Sequence, residues 1–136
     1  MKKLRENSWV LIFLVGLFML YYAYYNMVSI PNLNPADPDR GWAWLSSDPE
    51  VIEYIKFIFR FLGIWVLLSG ITTCVIAATG YRKSEKWAWY SLLYVPFHFL
   101  LFAILTPWTA VLMIPLILIT ILGLAIPYRE FFPIDG

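Results

Sequence analysis

Few side chains in this 136-residue sequence are equipped for chemistry, and they stand far apart. The sole histidine, His98, lies twelve residues into an uncharged stretch, 87–105, with Pro96 two residues before it. A proline there leaves the Leu92 carbonyl without its helical amide partner. An imidazole deep in an apolar stretch can ligate haem or copper, relay a proton or bind a polar substrate group. The plainer reading is a neutral ring hydrogen-bonded to a threonine, a tyrosine or a backbone carbonyl. That reading is favoured, because the uncharged stretches hold no second histidine and no carboxylate. If His98 is a metal ligand, another chain has to supply the rest.

The second feature is the row Glu53, Lys56, Arg60. Spacings of three and four place all three on one helical face. Such a row can bind an anion or a lipid headgroup, or dock a partner; more simply, it is an ion-paired helix end whose long side chains reach outward. Arg60 is the most telling of the three, since a charge facing hydrocarbon is costly and ordinarily has a partner. The one cysteine, Cys74, has no second cysteine to pair with and reads as a small packing residue. One histidine and one cysteine make no zinc or iron–sulfur set, and no CxxC, HExxH, GxGxxG or Walker pattern occurs. His98 and Glu53 fall at different depths, so no acid–base pair and no catalytic residue is assigned. No metal or cofactor is expected from this chain alone.

The elements that hold these residues follow from composition. The sequence is 61% hydrophobic and 14% charged, with a mean hydropathy of +0.70. A soluble domain averages about 45–50% apolar and about 25% charged. Too few polar residues remain to wet a globule, which excludes a soluble monomer, a disordered tail and a nucleic-acid-binding domain. The lipid bilayer is the expected surrounding.

Four stretches are suited to span it: 8–27, 51–79, 87–105 and 107–127. The expected fold is therefore all-α, a transmembrane four-helix bundle forming a single membrane domain over 1–136. The first stretch follows a basic start, yet its length and its exit through Tyr21, Tyr22, Tyr24 and Tyr25, with no small-x-small cleavage site, favour a retained span over a signal peptide. Residues 28–50 form a loop, because Pro31, Pro35, Pro38 and Pro49 forbid a long helix. That loop carries a net charge of −3 and an aromatic island, Trp42 and Trp44, available for docking. Ser46, Ser47 and Asp48 before Pro49 mark the next helix start. The third and fourth stretches run together for 41 uncharged residues, too many for one crossing, so the chain is expected to turn at 106–109 with Thr106 as N-cap and Pro107 in the first helical position.

Four spans put both termini on one side. With that side cytoplasmic, the inner segments hold Lys2, Lys3, Arg5, Arg82, Lys83, Lys86 and Arg129, seven of the ten basic residues, as the positive-inside rule prefers. The acidic loop is then extracytoplasmic. Tyr21, Tyr22, Tyr24, Tyr25, Trp42, Trp44 and Trp108 would mark the outer interface, and Trp87, Trp89, Tyr90 and Tyr128 the inner one. A quinone or sterol site built from such rings is a lesser reading. Along the second span, Gly63, Gly70 and Ala77 repeat at seven, with Thr73 and Gly80 on the same stripe. Small residues let helices approach closely in lipid, where no hydrophobic effect draws them together.

The run 81–90, a basic turn leading into an aromatic helix start, resembles a segment of small four-helix integral membrane proteins of prokaryotes, some of them DoxX-like. The resemblance covers ten residues and the four-span layout; it implies a fold and no activity. The first functional reading is a non-catalytic accessory or assembly subunit of a larger membrane complex, such as a membrane oxidoreductase, with other membrane subunits as partners. The alternative is an oligomeric small-molecule or lipid carrier using His98 and Arg60, in which the prolines 96 and 115 break helices at the site. For the plasma-membrane orientation given above, an Asp37→Cys variant is expected to react with a membrane-impermeant maleimide in intact cells. Labelling only after the cells are opened would invert the topology.

Overall fold

The computed structural model describes residues 7–32, 48–105 and 109–133. Among the described residues the ordered elements are helices, with no strand. The loop residues Trp42 and Trp44, the cap candidates Ser46 and Ser47, and the turn at Thr106, Pro107 and Trp108 lie outside the described residues.

Helix α1 covers Ser8–Tyr24 and runs on through one π turn, Tyr25–Ser29, closed by an Ile30 N–H donation to the Tyr25 carbonyl over 2.9 Å. Its one buried polar residue in that turn, Asn26, donates its amide to the Tyr22 carbonyl at 2.7 Å. Helix α2 covers Pro49–Ile76 and also ends in a π turn, Ala77–Tyr81. Its start follows from two residues. Pro49 occupies the first position, where a missing amide hydrogen is harmless. Asp48 caps it, its Oδ1 accepting the Glu50 N–H at 2.9 Å and its carbonyl the Ile52 N–H at 3.0 Å. With the π turn, the helical run is 33 residues, two longer at each end than the sequence suggests.

The stretch expected as one helix over 87–105 is two: α3, Lys86–Leu92, and α4, Tyr94–Leu105. Pro96 is the cause. It has no amide hydrogen for the Leu92 carbonyl, and the chain tightens at the break, where the Leu93 N–H bonds the Tyr90 carbonyl at 3.2 Å. Helix α5 covers Ala110–Ala125, with Pro115 inside it, and the single turn α6 covers Tyr128–Phe131. Pro127 ends α5 for the same reason that Pro96 breaks the preceding run. Three helical runs, Ser8–Ser29, Pro49–Tyr81 and Lys86–Leu105, are long and apolar enough to cross a membrane. Helix α5 is as apolar but has only 16 residues, about 24 Å of rise.

The chain falls into two compact units, Phe18–Gly70 and the remainder, Met1–Leu17 with Ile71–Gly136. In the first unit, α2 lies against α1 at Gly63 and Gly70. A Cβ on Gly63 would stand 3.0 Å from the Ala23 carbonyl oxygen and also overlap the Met27 side chain. One on Gly70 would stand 3.1 Å from the Leu20 nitrogen. In the second unit, α4 packs along α5. Its polar core groups are satisfied: the Thr73 and Tyr94 hydroxyls bond each other at 2.6 Å, and the Thr120 hydroxyl donates to the Leu116 carbonyl at 2.7 Å. Cys74 faces the Phe13 carbonyl at 3.8 Å.

Burial along α2 recurs at Gly63, Val66, Gly70, Thr73, Ala77 and Gly80, alternating steps of three and four. That is the seam of left-handed, coiled-coil-like packing. Because a Cβ on Gly70 would meet the Leu20 side chain at 2.9 Å and the Leu20 backbone nitrogen, which cannot swing aside, at 3.1 Å, Gly70→Leu is expected to destabilise the folded protein by about 2–3 kcal/mol, with Gly70→Ala intermediate. Thermal unfolding in detergent measures this; an unchanged midpoint for Gly70→Leu would sink the close-approach account.

Candidate functional site

The most developed polar site is at one end of the Met1–Leu17 and Ile71–Gly136 unit, and proline chemistry builds it. Within α5 the Gly123 carbonyl would normally accept the amide of residue 127, but Pro127 has none. The Tyr81 hydroxyl takes that position, donating to the Gly123 oxygen at 2.6 Å in a buried contact. The next carbonyl, Leu124, accepts the Trp89 indole N–H at 3.0 Å. Two aromatic side chains from other elements thus cap the C-terminus of α5, where intrahelical partners run out. The Tyr81 ring also packs on Phe131 of α6, with centroids 4.7 Å apart, and Trp89 sits edge-on to Tyr128 and Phe132.

The turn after Tyr81 is a Schellman motif. The Glu85 N–H bonds the Gly80 carbonyl and the Ser84 N–H the Tyr81 carbonyl, both at 3.0 Å. Ser84 holds the left-handed position at φ 57°, a place glycine fills more cheaply. Gly80 is inside the helical run. It is needed there because a Cβ would strike the Trp87 indole and stand 2.9 Å from the Ala88 Cβ. The turn aims Arg82 over the Trp9 ring, 5.1 Å from its centroid, at the start of α1. Lys86 lies similarly over Phe132, at 5.6 Å.

These elements enclose a cavity of about 390 Å³ lined by Asn7, Ser8, Trp9, Tyr81, Arg82, Ser84, Pro127, Glu130 and Phe131. Its size falls within the range of small-molecule sites, roughly 300–1,000 Å³. Arg82 and Glu130 both line it, and neither has an ion-pair partner among the described residues. A second groove, of about 490 Å³, is apolar and open, lined by Trp89, Leu93, Pro96, Ile121, Leu124, Ala125 and Tyr128.

In the Phe18–Gly70 unit, Lys56 and Glu53 form the ion pair that their spacing allows, Nζ to Oε1 2.6 Å. Arg60 is exposed and has no ion pair among the described residues. Beside this row runs an aromatic ladder on α2. Tyr54, Phe57 and Phe61 stack in sequence at 6.5 and 6.1 Å, Trp65 meets Phe61 edge-on at 6.3 Å, and all four are more than half exposed. His98, in the other unit, is half-buried against Phe102 and Phe99, at centroid distances of 5.1 and 5.9 Å, with no hydrogen-bond partner among the described residues. Among the described residues, no three His, Cys, Asp or Glu side chains are grouped to hold a metal.

The cavity and the ladder were not singled out by sequence reasoning. The signals were present: Pro127 leaves an orphan carbonyl that some donor must meet, and the aromatic spacing 54, 57, 61, 65 makes one helical stripe. Arg82 and Glu130, 48 positions apart, carry no such signal.

Tyr81→Phe removes the hydroxyl that donates to the buried Gly123 carbonyl and is expected to cost about 1–3 kcal/mol in detergent unfolding. In a Pro127→Ala background, where an amide is restored to Gly123, the same change is expected to cost markedly less. Additive effects in this double-mutant cycle would refute the capping role. In comparisons with known proteins, no family model, no curated protein and no solved structure matches the chain.

Proposed function

We propose that this chain is a multi-pass membrane protein of four spans, with α5 as the fourth, both termini cytoplasmic and the 28–50 loop outside. Its role in this reading is that of a non-catalytic accessory or assembly subunit, packing against the helices of other subunits of a membrane complex, a membrane oxidoreductase being one such complex.

The observation that carries the reading is the ladder on α2. Three rings stack in succession, Trp65 meets the last of them edge-on, and Arg60 stands beside this continuous aromatic row. Aromatic residues and arginine are the types enriched where protein surfaces meet, because they supply large contact area at little cost in side-chain entropy. The opposite stripe of α2 is occupied, through Gly63 and Gly70, by contact with α1. The ladder is therefore the face of α2 left for lipid or for a partner. A hydrocarbon-facing surface alone needs no continuous row of rings, since any aliphatic side chain satisfies it.

Purification from native membranes in a mild detergent is expected to yield the chain in fixed stoichiometry with unlike membrane subunits. Replacing Phe57, Phe61 and Trp65 together by leucine should release them while leaving the chain folded. A homo-oligomer carrying only lipid or solute, unaffected by the triple change, would overturn the subunit reading in favour of a carrier.

A further inference from the structure

The cavity at the polar end of the Met1–Leu17 and Ile71–Gly136 unit combines three properties. It is of ligand size, about 390 Å³. It is lined by one guanidinium, Arg82, and one carboxylate, Glu130, which do not pair with each other. Its remaining polar lining includes the hydroxyl-bearing Ser84. Opposite charges sharing a cavity without contact present a dipolar site: each is left to meet a complementary group on a ligand. Tyr81, whose hydroxyl is committed to Gly123, supplies an apolar ring wall rather than a further charge.

The cavity also has a characteristic position in the chain. Its lining comes from the first residues of α1, the turn that ends the α2 run and the segment just beyond α5. All three are places where an apolar helix meets polar sequence. If the helices span a bilayer, this is headgroup depth, so the lipid arm of the inference rests on the membrane reading above. Arg82 over Trp9 has the arrangement of an interfacial anchor, with its cation held above an indole face.

We infer that this cavity binds a zwitterionic aminoalkyl phosphate, with Arg82 and Ser84 on the phosphate oxygens and Glu130 on the ammonium group. An ethanolamine phospholipid headgroup and free phosphoethanolamine share this chemistry. A guanidinium matches phosphate oxygens with two parallel donors, and a carboxylate accepts from an ammonium. A purely anionic headgroup would satisfy Arg82 but leave Glu130 without a cation, so selectivity for the zwitterion follows from the pair rather than from either residue alone.

The test uses the full chain, purified in a non-ionic detergent. Binding of short-chain phosphatidylethanolamine, short-chain phosphatidylglycerol and free phosphoethanolamine is read by native mass spectrometry and by tryptophan fluorescence. The wild type is expected to prefer phosphatidylethanolamine to phosphatidylglycerol. Arg82→Gln should weaken that binding by about tenfold or more, the loss expected for one charge-assisted hydrogen-bonded pair, and Arg82→Lys should recover part of it. Glu130→Gln should abolish the preference while retaining phosphatidylglycerol binding. Circular dichroism and gel filtration identify any variant that has not folded, and Arg82→Lys and Glu130→Gln each keep a decisive comparison if Arg82→Gln fails. Tighter binding of the lipid than of phosphoethanolamine assigns the lipid as source; equal binding assigns the soluble compound. Equal wild-type binding of the two lipids, or wild-type behaviour of both Arg82→Gln and Glu130→Gln, overturns the inference. Carbonate extraction of the wild-type chain from cell membranes tests the spanning reading separately, and its failure leaves the phosphoethanolamine comparison intact.

Discussion

One hydrogen bond constrains the polar end of the larger unit: the Tyr81 hydroxyl on the Gly123 carbonyl. Pro127 makes it necessary by withholding the amide that Gly123 would otherwise accept from. A buried carbonyl without a donor costs about 1–3 kcal/mol, a large share of a domain's net stability. Meeting that need brings the end of the α2 run to the end of α5. Once Tyr81 is fixed, Phe131 packs on its ring, the Schellman turn begins at a defined place, and Arg82, the next residue, is carried over Trp9. The cavity is what these placements enclose.

A second constraint acts along the helices. α1, α4 and α5 are apolar all round, so no hydrophobic face tells them where to pack. What distinguishes the packed stripe of α2 is size. Gly63 and Gly70 admit the α1 backbone so closely that a single Cβ would crowd it, and dispersion contacts at such range are many although each is small. The consequence appears on the other side of the same helix, where Tyr54, Phe57, Phe61 and Trp65 form a continuous aromatic row in the open. Small residues inward and large rings outward are the reverse of a soluble core, and they are the arrangement expected of a helix whose outer face meets lipid or another chain.

Apart from Arg60, charge among the described residues is kept to the ends of the helical runs, and there it is organised. Glu53 and Lys56 neutralise each other in the first turns of α2. At the other end of that run the cations Arg82 and Lys86 lie on aromatic faces, and Glu130 stands across the cavity from a cation without pairing to it. An exposed ion pair contributes little to stability. Arg82 and Glu130 gain no ion pair from sharing a cavity, which leaves both charges available to a ligand.

The sequence by itself determined the helical class, the apolar runs and most of their ends, because these depend on local quantities: apolar length, proline and the capping residue. Asp48 before Pro49 and the break caused by Pro96 are legible from neighbours in the chain. It also determined that Glu53 and Lys56 would meet, since four-residue geometry within one helix decides it. Only the tertiary structure decided which group caps Gly123, why Gly80 must lack a side chain, and that Ser84 rather than Gly80 takes the left-handed position of the turn. It alone placed His98 against Phe102 and Phe99. It alone brought Arg82 and Glu130 to one cavity, since their meeting depends on where separate helices end in space, and a sequence records order along the chain, not distance across it.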